Sequence, residues 1–428
     1  MPKMSFVATG DSFITRGLPR NPGFDALAAV IGTAEARFTN FEAVVPGPNA
    51  IPNAISGGTW AKAPETTIAD LQALGFNLMS WANNHTLDFC HAGVTETAAA
   101  FDRAGVVHGG AGATLEAASR PVYLDAPSAR VAMISICSTL HETAVAGQQR
   151  PDGPGRPGVN PLRFSTTWTL PKAQLDVLAG LAQASGINAE HRMRVKEGFG
   201  EEVPEGVVLF GNHRFREGPP GKLTACKQED VDRTVRAIGQ ARRQGEFVVV
   251  SLHAHEMEGT DKALPARFLR DFAHACVDAG AHAVIGHGPH VLRGIEMRKG
   301  RPIFYSLGNF IFHNETVPDL PDDFYAKYGL SMTDGVADAI DKRSATNTRG
   351  FAANPWAWKS VIARWEMDGE QTTALELIPV ELGYGEHRGR RGTPILSKDP
   401  AILPHLAELS TPFGTTIDIA DGIGRVRL

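Results

Sequence analysis

Apolar residues recur along the chain in short runs separated by polar, helix-like stretches. Alternating or continuous apolar runs predict strands at 4–9 (MSFVAT), 36–41 (ARFTNF), 76–81, 130–137 (RVAMISIC), 206–210 (GVVLF), 246–252 (EFVVVSL), 282–286 (HAVIG) and 302–307 (PIFYSL). Amphipathic spacing between them predicts helices at 23–32, 65–74, 93–104, 229–243 and 265–279. The alternation predicts an α/β fold, with helices covering a mixed or parallel sheet. In folds of that kind, side chains that do chemistry gather on loops at the carboxyl ends of strands.

Two stretches break the rhythm. Residues 143–225 hold Pro/Gly-rich segments on either side of a helix near 171–185, and predict an insertion that forms a wall or lid over a site. Residues 314–362, with Pro318, Pro321, Trp356 and Trp358, form a second irregular segment, and from about 359 onward alternating runs predict strands that finish a sheet. The expected organisation is one domain over 1–428, with an inserted lid at 143–225 and a C-terminal extension at 314–428 that completes the sheet and the wall of the site.

Bulk properties narrow the classes of function. A chain of 428 residues that is 43% hydrophobic can bury a large core. Its net charge of −5, with basic residues scattered, gives no nucleic-acid footprint and no polybasic anchor. The first strand begins near Met4, leaving no space for an export signal, and no run reaches the roughly 18 apolar residues of a membrane span. Cys90, Cys137, Cys226 and Cys276 show no C-x-x-C spacing, so neither a disulfide framework nor a thiolate zinc site is expected. The expectation is a cytoplasmic protein with no nucleic-acid and no membrane partner.

The strand ends carry the chemistry. Thr9-Gly10-Asp11 closes the first, Thr39-Asn40-Phe41-Glu42 the second and Ala82-Asn83-Asn84-His85 the third. His253-Ala254-His255-Glu256, Gly286-His287-Gly288-Pro289-His290 and Ser306-Leu307-Gly308-Asn309 follow three more. A lone histidine after a strand is usually a satisfied core residue, but this many carboxylates, amides and imidazoles cannot be buried unpaired without a large cost. Divalent cations compensate such a cluster. Asp, Glu, Asn and His without Cys favour Mn²⁺, Fe²⁺ or Zn²⁺, as one ion or as two adjacent ions.

These pieces resemble the CapA family, named for poly-γ-glutamate capsule proteins, whose domain is similar to the calcineurin-like metallophosphatases. The match runs through Gly10-Asp11, Asn40-Phe41-Glu42, ANNHTLDF at 82–89, Ser251-Leu252-His253, GHGPHV at 286–291 and YSLGNF at 305–310, in the family's order. It implies a layered, metallophosphatase-like sheet architecture flanked by helices. It further implies that Asp11 binds one metal, with Glu42 bridging or beside it, Asn84 on a second metal, and His253 and His287 as further ligands. His290 is implied as a ligand or a proton donor, and His85 as an acid or base oriented by Asp88.

Departures from the family pattern bear on the chemistry. Where metallophosphatases have Asp-x-His, this chain has Asp11-Ser12-Phe13, which removes an imidazole from the first metal site. His255 stands where the family has Gly, and is expected as an added acid/base group near the metal; Gly288 stands where it has His. Cys90 is assigned to packing. Gly211-Asn212-His213 mimics a metallophosphatase motif, but lies in the insertion, outside the family order, and is not expected to ligate.

Three functions follow. Soluble CapA-like proteins include the peptide epimerase of lasso-peptide biosynthesis, and the resemblance implies inversion of a Cα centre in a ribosomal precursor peptide, with His85, His255 and His290 moving protons. Metal-dependent hydrolysis of an amide or phosphoester is the alternative, and a role in poly-γ-glutamate capsule assembly is the third. The substrate expected is a peptide or a small amide or carboxylate; no pyridoxal phosphate is expected.

Overall fold

Alternation along each strand decides which face of a sheet every side chain takes. The computed structural model of the chain describes residues 2–428. Strands β1 (Lys3–Phe13), β2 (Ala36–Phe41), β3 (Leu78–Ser80) and β4 (Val107–Gly109) run parallel in one sheet. A second sheet contains β5 (Val122–Asp125), β6 (Arg130–Cys137), β7 (Phe247–His253), β8 (Ala283–His287), β9 (Leu292–Arg298) and β10 (Arg301–Leu307), in the order β9-β10-β8-β7-β6-β5. In it β6, β7, β8 and β10 are parallel, and β5 and β9 add antiparallel edges.

Phe6, Ala8 and Phe38 of the first sheet meet Val131, Met133, Phe247, Val249 and Ile285 of the second in one buried cluster. The sheets therefore lie face to face. Side chains one position out of phase point outward: Val7 packs under α1 (Pro22–Ile31), α2 (Thr66–Ala73) and α3 (Cys90–Ala104). Ala132, Ile134, Val248 and Val250 pack under α4 (Gln228–Ala241) and α5 (Arg267–Asp278). The result is helix, sheet, sheet, helix, the layered metallophosphatase-like α/β arrangement. Between the sheets, Phe6 stacks on Trp365 at 4.9 Å between ring centroids and meets the edge of Phe247 at 5.6 Å.

The predicted strands and helices fall within a few residues of those observed. One difference matters for the site. The first strand continues beyond residue 9 to Phe13, and the irregular register at Asp11 lets its end pair with both β2 and β11 (Asn309–Phe312). A bulge of this kind re-aims a side chain at a strand end. The C-terminal strands form a long hairpin, β12 (Lys359–Asp368) and β13 (Gln371–Glu381), with β12 antiparallel to β1.

Residues 143–225 include a four-stranded sheet of their own, ordered Val207–Phe210, His213–Glu217, Phe164–Leu170, Gly221–Cys226. Phe164 stacks on Phe268 of α5 at 4.2 Å, and Arg163 grips Asp230 of α4 through two hydrogen bonds of 2.9 and 2.7 Å. These contacts anchor the inserted sheet to the outer helices of the second layer. Gly211-Asn212 forms the turn of its hairpin, with Gly211 at φ +59°, and His213, exposed, opens the next strand.

Gly10 sits where β1 passes the loop after β10. A Cβ there would lie 1.8 Å from the Gly308 carbonyl oxygen, which accepts a 3.0 Å hydrogen bond from the Asp11 amide. Only glycine permits that approach. Gly10→Ala is expected to cost about 3 kcal/mol, the upper end for overpacking, read as a lower urea midpoint than wild type.

Candidate metal centre

Both sheets end their parallel strands at the same place. β1 delivers Asp11, the turn after β2 delivers Glu42, and β7 and β8 finish on His253 and His287, which are register partners. Asp11, Glu42 and His253 are 0% exposed and His287 is 1%. Two groups of three form. Asp11, His253 and His287 offer ligand atoms that all lie within 4.8 Å of one another, and so do Glu42, His255 and His290.

The first group is tightly drawn. Asp11 Oδ1 lies 3.3 Å from His287 Nδ1 and 3.6 Å from His253 Nδ1, and the two Nδ1 atoms are 3.0 Å apart. Asn40 Nδ2 donates to Asp11 Oδ1 at 2.8 Å, and the Gly288 amide donates to Oδ2 at 2.8 Å. Ser251 Oγ meets His287 Nε2 at 2.7 Å, which leaves Nδ1 facing the cluster. His253 joins the groups, its Nε2 lying 3.2 Å from His255 Nε2 and 3.7 Å from Glu42 Oε1.

In the second group, His290 Nδ1 pairs with Asn309 Oδ1 at 2.8 Å, and Asn309 is itself held by donating to the Ala357 carbonyl at 2.8 Å. Nε2 of His290 is left for the centre. His290 has φ +61°, rare for a residue other than glycine and typical of functional loops. Gly288 has φ +118°, and a Cβ there would lie 3.0 Å from His255 Cδ2 and 2.9 Å from the Ala254 amide nitrogen. The two departures from the family pattern thus occupy adjoining space: with no side chain at 288, the His255 imidazole packs against that backbone.

His85 stands beside Glu42 and outside both groups. Its Nδ1 pairs with Asp88 Oδ2 at 2.7 Å, and Asp88 is fixed by a 2.7 Å hydrogen bond from the Ala61 amide. Nε2 of His85 faces Glu42 Oε1 at 3.9 Å. Phe13, in place of the missing first-site imidazole, packs edge-on against the His85 ring at 5.0 Å. Helix α3 begins only at Cys90, which has φ +54°, so Asn84 and Thr86 do not cap it. Thr86 instead ties the loop to the Trp81 carbonyl at 3.0 Å.

Asn84 is half-buried, with its amide 3.5 Å from the Gly57 carbonyl and its Oδ1 without a partner. No hydrogen bond joins it to either group. Its neighbour Asn83 is the buried one, donating to the Phe41 carbonyl at 2.8 Å and to Asn40 Oδ1 at 3.4 Å. Asn40, Ser251 and Asn309 were not among the expected site residues. Each sits inside a quoted motif, but nothing in the motifs says which polar residue orients another.

The donor set suits a divalent cation. Both Glu42 carboxylate oxygens are buried without a hydrogen-bond partner. Burial first, then the charges of Asp11 and Asp88, pushes the Glu42 carboxyl well above the usual range, so a proton or a cation must neutralise it. Burial works to raise the Asp11 carboxyl as well, but hydrogen bonds and charge from His253 and His287 hold it well below the usual range. Burial pushes His253 and His290 down to about 4. Burial, then the neighbouring histidines, pushes His255 well down too. Neutral imidazoles and a carboxylate are the forms that ligate metal. Asp11, His253 and His287 would hold one ion; Glu42, His255 and His290 would hold a second.

Fold and site define a metallophosphatase-like protein with a candidate divalent metal centre. The chain belongs to the family described as "Bacterial capsule synthesis protein PGA_cap", whose family model matches residues 5–314. It is 34% identical over 440 residues to "Uncharacterized protein y4uA" of Sinorhizobium fredii, covering 99% of this chain and 93% of that protein. It is 27% identical over 250 residues to "Capsule biosynthesis protein CapA" of Bacillus anthracis, covering 58% of this chain and 43% of that protein. Over 97 residues it is 39% identical to "PGA biosynthesis protein CapA" of Bacillus subtilis, covering 23% of this chain and 24% of that protein. Among the described residues no helix is long and apolar enough to cross a membrane.

Metal analysis after loading with Mn²⁺ or Zn²⁺ is expected to find bound ions in wild type and fewer in Asp11→Asn. Ser251→Ala, which frees the His287 ring, should lower metal affinity about 10–100-fold. Chelation should leave the far-UV circular dichroism unchanged, because a core of this size does not depend on a metal.

Proposed function

We propose that this chain is a metal-dependent hydrolase acting on an amide or phosphoester bond, with His85 as the group that moves a proton at the reacting bond. The observation that carries this reading is Glu42, a buried carboxylate with both oxygens unpaired, set among imidazoles and faced by a histidine that has its own carboxylate partner. The chemistry that divalent ions supply in such a place is polarisation of a carbonyl or phosphoryl oxygen and acidification of water.

The residues divide the remaining work. Asp88 accepts from His85 Nδ1 and holds the ring with Nε2 turned toward Glu42, so that Nε2 gives a proton to the leaving group. Phe13 and Phe312 make the floor beside it apolar, which keeps bulk water from competing. Asn309 fixes His290 in the same way on the other side of the cluster. Relatives named for capsule biosynthesis and PGA biosynthesis, with the poly-γ-glutamate capsule resemblance, support an acidic, amide-linked polymer or peptide as substrate. Four free cysteines support a cytoplasmic setting.

Inversion of a Cα centre in a peptide, including a ribosomal precursor of the lasso type, is the second reading. It is favoured by the number of imidazoles around Glu42: His85, His255 and His290 would let one ring remove a proton and another return it.

One experiment separates the two. The metal-loaded protein is incubated in D₂O with an N-acetylated γ-glutamyl oligomer, and separately with an α-linked peptide, and the products are weighed. Hydrolysis gives shorter chains, each cut adding one water; inversion gives full-length peptide carrying one deuterium at Cα. His85→Asn should lower kcat by about 10²–10⁴ with little change in KM, and Asp88→Asn should lower it in the same direction. Full-length deuterated peptide overturns the hydrolase. A His85→Asn variant as active as wild type overturns the role given to His85.

A further inference from the structure

A cavity of about 350 Å³ opens beside the candidate metal centre, and Phe351 forms the partition between them. One side of the Phe351 ring meets His290, edge to face, at 4.9 Å between centroids. Lys262 Nζ lies over the same ring, 5.1 Å from its centroid. The cavity is lined by Lys262, Lys327, Arg343 and Arg349, and among the described residues none of these four cations has a carboxylate partner. The one carboxylate in the lining, Glu315, is already engaged by Arg391.

Four unneutralised cations around one hollow are unusual on a chain whose net charge is −5. Like charges gathered this way repel one another unless an anion joins them. They come from separate places: the short strand Asp261–Pro265, the end of the helix Asp322–Lys327, the helix Val336–Ser344 and the loop after it. Two of them are positioned by the protein. Arg343 donates to Thr59 Oγ1, and Arg349 donates to the carbonyls of Arg343 at 2.9 Å and Lys342 at 3.2 Å. The lysines are exposed, with Nζ of Lys262 over the Phe351 ring and Nζ of Lys327 5.9 Å from the Tyr328 ring centroid. The short hairpin that carries Lys262 is held by buried Arg293, which donates to the carbonyls of Lys262 at 2.8 Å, Glu256 at 3.0 Å and His255 at 3.2 Å. The same guanidinium therefore ties the cavity to the loop that presents His255.

We infer that this cavity is a substrate subsite for the side-chain carboxylates of an acidic oligopeptide whose adjoining bond lies at the metal centre. The inference deepens the proposed function and rests on it for the position of the reacting bond. Cations spread over four elements match several carboxylates along a chain better than a single compact anion. Arginine forks pair with carboxylates in two hydrogen bonds, and lysines at the rim add attraction without fixed geometry.

The test reads binding without turnover, using fluorescein-labelled α-linked hexaglutamate and a hexaglutamine of equal length, by anisotropy on the full chain. Wild type is expected to bind the glutamate oligomer, with affinity falling as salt rises, and to ignore the glutamine oligomer. The Lys262→Gln/Lys327→Gln double variant should weaken binding by about tenfold or more, and Lys262→Arg/Lys327→Arg should retain it. Both lysines are exposed, so an unchanged thermal midpoint accompanies either result. Equal binding of hexaglutamine, or unchanged affinity in the glutamine variant, overturns the subsite. Displacement of the peptide by inorganic phosphate at equal concentration overturns it too, and assigns the cavity to a phosphate. A protein that binds the probe but cleaves nothing keeps the subsite and sinks only the hydrolase. One that cleaves neutral amides regardless of charge does the reverse.

Discussion

Two carboxylates without solvent, Asp11 and Glu42, are the constraint around which this molecule is arranged. An ionised carboxylate inside a protein costs several kcal/mol unless opposite charge or hydrogen bonds compensate it. Asp11 has its compensation within the protein: the Asn40 amide, the Gly288 backbone and two imidazoles. Glu42 has none of these: both its oxygens lack a hydrogen bond, and Oε1 faces the ring nitrogens of His85 and His253. That asymmetry marks the cluster as a candidate metal site rather than a structural ion pair.

The fold meets the constraint through its topology. Each sheet contains a run of parallel strands, and stacking the sheets brings both sets of carboxyl ends to one edge of the sandwich. β1 is the hinge of this arrangement, since its bulged end pairs with β2 on one side and β11 on the other. Gly10 passes so close to Gly308 that no side chain fits between the end of β1 and the loop before β11. Polar side chains just behind the cluster then choose the tautomers: Ser251 for His287, Asn309 for His290, Asp88 for His85.

Departures from the family pattern are absorbed locally. Phe13 turns a ligand position into an apolar wall against His85, and the lost imidazole at 288 leaves space beside which His255 sits. Beyond Phe351, the charge around the cavity changes sign from the acidic cluster to an unpaired basic one.

Much of this was legible in the sequence because strands and their ends are local. The continuous apolar runs at 130–137 and 246–252 specify buried strands whatever surrounds them, and Asp11, Glu42, His85, His253, His287 and His290 announce themselves by following strand runs. The pairing of Asp88 with His85 was implied by the family resemblance, and the two, on one loop, lie 2.7 Å apart. Long-range placement is a different matter. That Asp11, His253 and His287 form one group while Glu42 gathers His255 and His290 depends on how two sheets stack, which no window of the chain encodes. Asn83 rather than Asn84 is buried because of the path of a turn, and Asn40, Ser251 and Asn309 orient ligands only through partners far away in sequence. The basic cavity was invisible for the same reason. Its cations are separated by up to most of a hundred residues and look like an ordinary solvated scatter until helices, turn and loop are folded against Phe351. Sequence alone determined which residues could do chemistry; tertiary structure decided which of them share a ligand, because a binding site is set by distances in space and those are fixed only when the layers pack.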